Sequence, residues 1–295
     1  MNPLNTLERR GMQSISTPAG RMLIVAADQR NSMKAVMRDA VDGPGSVTAA
    51  DLAYAKADLV RYLANYAPAI LLDPEVALPQ VIDDDVLSRE TGLVVGLDAS
   101  GFDVVDGLRY TQVVPGMSPR RVRDLGGNVA KMLYYMRPDK QDGDSRVARE
   151  IREHVKACED EGLLLIVELL TYQLEDERDE NYTAAFASLV ADGAQLAVEC
   201  GAKVLKLQYP GSAAACQNVA EAVDGVPWAV LSAGVDHATF VLQVATAMAN
   251  GASGAMAGRS LWKDSLSVTH EVRRDLLTNQ ALPRLEELAD IVDGR

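Results

Sequence analysis

The chain has 295 residues, 48% of them hydrophobic and 5% aromatic, enough to bury a full-sized core without disulfides or metal clips, which excludes a peptide-sized scaffold and a disordered chain. Its 42 acidic and 29 basic residues give a net charge of -13, which repels nucleic acid and anionic membrane and excludes polyanion binding as a first reading. Cys158, Cys200 and Cys216 are odd in number, far apart and without C-x-x-C spacing, so they read as reduced thiols used for packing. The opening residues MNPLNTLERR put no apolar stretch behind a basic one, and apolar runs stop short of the roughly 18 residues of a membrane span. A cytoplasmic location is expected, with neither nucleic acid nor membrane as partner.

In chain order, residues 3–18 read first as an added N-terminal helix. Short runs rich in Val, Ile and Leu follow at 22–27, 69–72, 93–97, 129–136, 163–170, 204–207, 228–231 and 254–257. Between them apolar residues recur at three and four, as in helices covering a buried parallel sheet. The spacing predicts a helix over 145–161 with Val147, Ile151, Val155 and Cys158 on one stripe, an Ala-rich helix over 182–200 ended by Gly201, and another from near Asp236 to Gly251. A last helix over 280–293 sets Leu282, Leu285, Leu288 and Ile291 on one face.

The later runs begin at residues 129, 163, 204, 228 and 254, each interval long enough for a strand, a helix and two loops. Eight such units close as a (β/α)8 TIM barrel of the α/β class, with additional N- and C-terminal helices. An open doubly wound sheet is the alternative, and no G-x-G-x-x-G follows a strand to support it. No repeat or linker marks a second domain, so residues 1–295 are read as a single barrel domain.

Four charges lie within or at the ends of apolar runs: Asp28 in LIVAADQR, Lys131 in VAKMLYYM, Glu168 in LLLIVELL and Lys206 in KVLKLQYP. Desolvating each costs several kcal/mol unless it is paired. They serve a site at the carboxyl ends of the strands, where barrels carry their chemistry, or else form a buried salt-bridge network or in part point outward beneath the helices. Two lysines in one low-dielectric pocket favour the neutral amine. A neutral amine condenses with a ketone to an iminium, an electron sink for C–C cleavage, while Glu168 moves protons. These are the parts of a class I aldolase. A metal-dependent route needs clustered ligands, and His154, His237 and His270 show no such spacing; they read as surface or capping residues, and no metal or other cofactor is expected.

After the last two strands come LSAGVD and GASGAMAGRSLW, Gly-bearing loops where barrels often bind phosphate through backbone N–H groups and a following helix N-terminus, with Arg259 adding a bidentate cation. The expected substrate is a phosphorylated keto sugar. Tyr134 and Tyr135 either line the site or pack beside it, Arg30 either steers the anion or is solvated, Asp73 caps the turn after its strand, and residues 175–180 form a solvated acidic loop.

Together DQR, LLDPEVALP, VAKMLYY, VELLTY, VLKLQYP, LSAGVD and AGRSLW resemble the class I tagatose 1,6-bisphosphate aldolase family, which includes sulfofructose 1-phosphate aldolases; the likeness runs collinearly from Leu23 to Trp262. The resemblance implies that Lys206 forms the Schiff base with the dihydroxyacetone phosphate half, with Lys131 and Glu168 as second lysine and acid/base carboxylate. It also implies that Asp28 and Gln29 contact substrate, and that Ser232, Gly234, Gly258 and Arg259 form the anion-binding loops. The chain departs from the family at Gln208, where an acidic residue is common, and in its short Ala-rich segment 209–227. The expected reaction is cleavage of tagatose 1,6-bisphosphate to dihydroxyacetone phosphate and glyceraldehyde 3-phosphate. The alternatives are a sulfofructose 1-phosphate aldolase and a non-catalytic sugar-phosphate-binding barrel. A homo-oligomer is compatible with the helical exterior.

Overall fold

A computed structural model describes residues 4–39 and 47–295. Eight strands form the frame: β1 (Met22–Ala27), β2 (Ala69–Leu72), β3 (Gly92–Gly96), β4 (Val129–Tyr135), β5 (Leu164–Leu170), β6 (Val204–Gln208), β7 (Trp228–Leu231) and β8 (Gly254–Ala257). They pair in parallel as a closed barrel, β1 lying between β2 and β8. The expected runs match these strands to within one residue at either end, because a strand buried on both faces is apolar along its whole length.

Side-chain alternation divides the core in two. Met22, Ile24, Leu71, Val94, Val129, Ile166, Val204 and Met256 fill the barrel interior. Leu23, Val25, Leu72, Val95, Met132, Val167, Leu205 and Val230 point outward to the helices. The expected N-terminal helix spans Thr6–Ser14, capped by Asn5, while residue 3 of that segment lies outside the described residues. Ile15, fully buried, joins the interior cluster just beyond this helix and closes the amino end of the barrel. Gly254 is required there, since a Cβ would stand 2.0 Å from the Met22 carbonyl oxygen.

The predicted outer helices appear at Arg146–Asp160 with Ser145 as N-cap, at Asp179–Glu199, and at His237–Ala249 with Asp236 as N-cap. The second starts three residues before the expected Tyr182, carrying Asp179 and Glu180 in its first turn, where acids favour a helix N-terminus. The last helix, Leu282–Asp293, buries Leu285, Leu288 and Val292, with Ile291 only half-buried. An antiparallel ribbon of Asp103–Val105 and Leu108–Tyr110 between β3 and β4 was not anticipated. Asp106 and Gly107 turn it with φ of 51° and 76°, as a two-residue Asp-Gly hairpin requires.

Candidate active site

The four charges singled out in the sequence meet at the carboxyl end of the barrel, joined by Asp98, which follows β3. Lys131 Nζ lies 2.5 Å from Glu168 Oε2, 3.0 Å from Asp28 Oδ2 and 3.0 Å from Asp98 Oδ1. Glu168 then reaches Lys206 Nζ, 3.0 Å from its Oε1. The register explains the meeting, since Glu168 and Lys206 are direct neighbours on adjacent strands. All line a cavity of about 530 Å³. Asp98 escaped the sequence reading although G-L-D follows an apolar run just as A-A-D does after β1.

Electrostatics correct one expectation. Burial would favour a neutral Lys131, but Asp28, Asp98 and Glu168 outweigh it and hold the ammonium well above the ordinary lysine value. Lys131 is therefore the fixed cation of the site. Burial also pushes the Asp28 carboxyl up, yet Lys131 and Lys206 overcome it and hold Asp28 well below the ordinary range. Asp98 goes the other way: burial raises it, Lys131 only partly compensates, and the nearby Asp28 and Glu168 charges add to the rise. Asp28 Oδ1 and Gln29 Oε1 are buried and accept no hydrogen bond from the described residues.

The loops after β7 and β8 meet on the same cavity. Gly258 N–H donates to the buried Ser232 Oγ at 3.4 Å, and Arg259 Nη2 donates to the Ala233 carbonyl at 3.2 Å. Ala233 and Gly234 both have positive φ, 49° and 86°; for the alanine this costs of order 1–3 kcal/mol, the kind of strain found at ligand-binding loops. Gly234 lets the guanidinium lie close, since a Cβ would come 2.9 Å from Arg259 Cζ. The helix expected to follow is a single turn, Arg259–Trp262, so positive charge comes mainly from Arg259 and from Lys263, whose Nζ donates to the Gly234 carbonyl at 3.2 Å. Trp262, fully buried, ties this loop to β1 by donating from Nε1 to the Ala26 carbonyl at 3.0 Å.

Other residues resolve by the direction of their side chains. On β4, Lys131, Leu133 and Tyr135 line the cavity. Tyr134 points away, and its hydroxyl meets His154 Nδ1 at 2.8 Å beneath the covering helix. His154 is thus a half-buried packing partner rather than a surface residue. His237 and His270 pair with Glu287 and Asp58 instead. Arg30 is neither solvated nor free, being held by Glu75, Ser100 and the Asp98 carbonyl. Asp73 caps its turn by accepting from Glu75 N and Val76 N, and also pairs with the buried Lys56. Within the acidic run, Glu177 is not solvated but pairs with Arg137 at 2.6 Å. Gln208 accepts from Thr171 N at 2.8 Å, bracing β6 against the end of β5. The three cysteines are buried and free. No helix among the described residues is long and apolar enough to cross a membrane.

The chain is 26% identical to tagatose 1,6-diphosphate aldolase 2 of Streptococcus pyogenes serotype M1, covering 97% of this chain and 94% of the relative. Among solved structures it superposes on an archaeal fructose 1,6-bisphosphate aldolase with a TM-score of 0.66 at 19% identity, covering 97% of this chain and 98% of the other. A structure of a Schiff base forming fructose-1,6-bisphosphate aldolase gives 0.65 at 19% identity, with coverage of 96% and 98%. Residues 22–264, which hold all eight strands and the charged cluster, match the DeoC/LacD family aldolases, and the chain belongs to that family of carbon–carbon lyases.

Proposed function

We propose that this aldolase is a class I enzyme that cleaves a phosphorylated ketose, tagatose 1,6-bisphosphate by first choice, to dihydroxyacetone phosphate and glyceraldehyde 3-phosphate. The observation carrying this reading is the chain Lys206–Glu168–Lys131 facing the cavity, with one carboxylate touching both lysines. The streptococcal relatives named as tagatose 1,6-diphosphate aldolases support the choice of sugar.

Lys206 Nζ is the nucleophile, and Glu168 Oε1 is within reach of the proton that Nζ must lose before it attacks the C2 ketone. Attack gives a carbinolamine; protonation of its hydroxyl through Glu168 expels water and leaves an iminium. Glu168 then takes the proton of the C4 hydroxyl as the C3–C4 bond breaks. The electron pair moves into the iminium as an enamine and the aldehyde leaves. Reprotonation at C3 and hydrolysis release dihydroxyacetone phosphate and restore Lys206. Lys131, kept as an ammonium, fixes the far oxygen of Glu168 and holds Asp28 ionised. The unpaired acceptors Asp28 Oδ1 and Gln29 Oε1 suit substrate hydroxyls. Ser232, Gly234, Gly258 and Arg259 hold the phosphate on the ketone side. The activity resides in one barrel domain over residues 1–295, and the buried free thiols suit a cytoplasmic location.

Borohydride reduction with dihydroxyacetone phosphate and a chelator, followed by peptide mass spectrometry, tests this reading. The expected result is a stable adduct on the Lys206 peptide. Binding of the phosphate ester without any adduct would overturn it in favour of a sugar-phosphate-binding barrel.

A further inference from the structure

Arg109 lies on the second strand of the ribbon between β3 and β4. Its guanidinium carbon sits 4.5 Å from the Phe102 ring centre, 4.6 Å from that of Tyr172 and 5.9 Å from that of Tyr135. The rings brace one another, with Phe102 and Tyr172 each meeting Tyr135 edge-on at 5.0 and 5.8 Å. The Tyr172 hydroxyl anchors the ribbon by accepting from the Arg109 backbone N–H at 2.8 Å. Stacking holds a guanidinium by its faces and leaves its in-plane N–H groups free. Among the described residues those groups meet no carboxylate within 4.0 Å and donate no hydrogen bond. Neighbouring arginines are committed: Arg30 to Glu75, Arg137 to Asp139 and Glu177, Arg146 to Glu150.

The placement is as informative as the vacant donors. Tyr135 ends β4 and lines the cavity. Arg259, also without a carboxylate partner among the described residues, follows β8. In the closed order of eight strands β4 and β8 stand four apart in both directions, so they face each other across the mouth. Lys206 on β6 lies midway between them. We infer that Arg109 is a second anion subsite, taking the terminal tetrahedral oxyanion of the aldehyde half while Arg259 holds the opposite end of the substrate. This inference rests on the Schiff-base reading above and makes Arg109 the specificity-determining residue for the aldehyde. A rigid, stacked guanidinium offers two parallel donors, the geometry that phosphate and sulfonate oxygens share.

The test runs the reaction in the condensation direction, with dihydroxyacetone phosphate as donor and three acceptors: glyceraldehyde 3-phosphate, the sulfonated three-carbon aldehyde and neutral glyceraldehyde. Wild type prefers an anionic acceptor. In Arg109→Met the ratio of kcat/KM for the anionic over the neutral acceptor falls at least about tenfold, the scale of losing one charge-assisted pair, with most of the change in KM. Arg109→Lys recovers part of it, and reads the same ratio if the methionine variant does not fold. The anionic acceptor that loses more identifies whether phosphate or sulfonate is the natural group. A wild type with no anionic preference, or a variant that weakens all three acceptors equally or none, overturns the subsite. The borohydride adduct is scored in parallel: adduct present with the ratio unchanged defeats only the subsite, whereas adduct absent from wild type defeats the Schiff-base reading itself.

Discussion

Two of the sets of buried charges near the carboxyl ends of the strands, the Lys56–Asp73 pair and the cluster in the barrel mouth, differ in what they leave over. Lys56, on the helix Ala49–Tyr62, pairs one to one with Asp73; both side chains are almost fully enclosed, and the second Asp73 oxygen accepts from Glu75 N and Val76 N. In the barrel mouth three carboxylates share two lysines, and acceptor atoms of Asp28 and Gln29 stay without partners beside an open cavity. A closed pair holds structure. A surplus of charge and acceptors facing empty space is what binding and proton transfer need.

The largest expected effect breaks this comparison at the mouth. Lys206→Met should lower cleavage by roughly 10⁴-fold or more, read by coupled assay, while the melting temperature moves little because Glu168 keeps Lys131 as partner. Glu168→Gln should cost on the order of 10²–10⁴-fold in turnover, read by the same coupled assay. The opposite pattern is expected at the closed pair. Lys56→Met, which strands Asp73, should cost about 3–5 kcal/mol in denaturant unfolding with activity per folded molecule unchanged. Lost activity there at full folding would mean that the pair serves the site.

The pH dependence of stability sharpens the same contrast. Lys131 has a raised folded value, so its contribution is complete below the ordinary 10.5 and is lost as pH climbs through the raised value. Asp28 has a depressed one, so its contribution is present above 3.8 and disappears in strong acid. Thermal melts of wild type against Lys131→Met should therefore separate most between these limits and converge both in strong acid and as pH climbs through the raised lysine value. Asp98 has a raised value, so its ionisation costs stability as pH rises through that value. Asp98→Asn retains an oxygen to accept from Leu133 N, and should change stability by only about 1 kcal/mol at neutral pH while flattening this slope, read from the same melts.

Much of the site was legible because an ionised side chain within an apolar run is costly and therefore conspicuous: Lys131, Glu168 and Lys206 stood out in this way. Asp98 sits one residue beyond a run, where a polar residue is ordinary, and so passed unnoticed. Tyr134 and Tyr135 were separable in principle, since period-two alternation from Lys131 sends Tyr135 inward and Tyr134 outward. The ribbon that carries Arg109 had its own signal, Asp-Gly between V-V and L-R-Y, but three-residue strands are too short to register as runs.

By itself the sequence determined the order of strands and helices, the barrel they close into and the types of the reacting groups, because hydrophobic periodicity and the cost of burying charge are local properties of the chain. Only the tertiary structure decided that one ammonium is surrounded by three carboxylates and stays charged, and that β4, which ends in Tyr135, and β8, which precedes Arg259, stand opposite each other in the barrel. Those outcomes depend on strand register and closure, which set distances between residues that no local pattern relates.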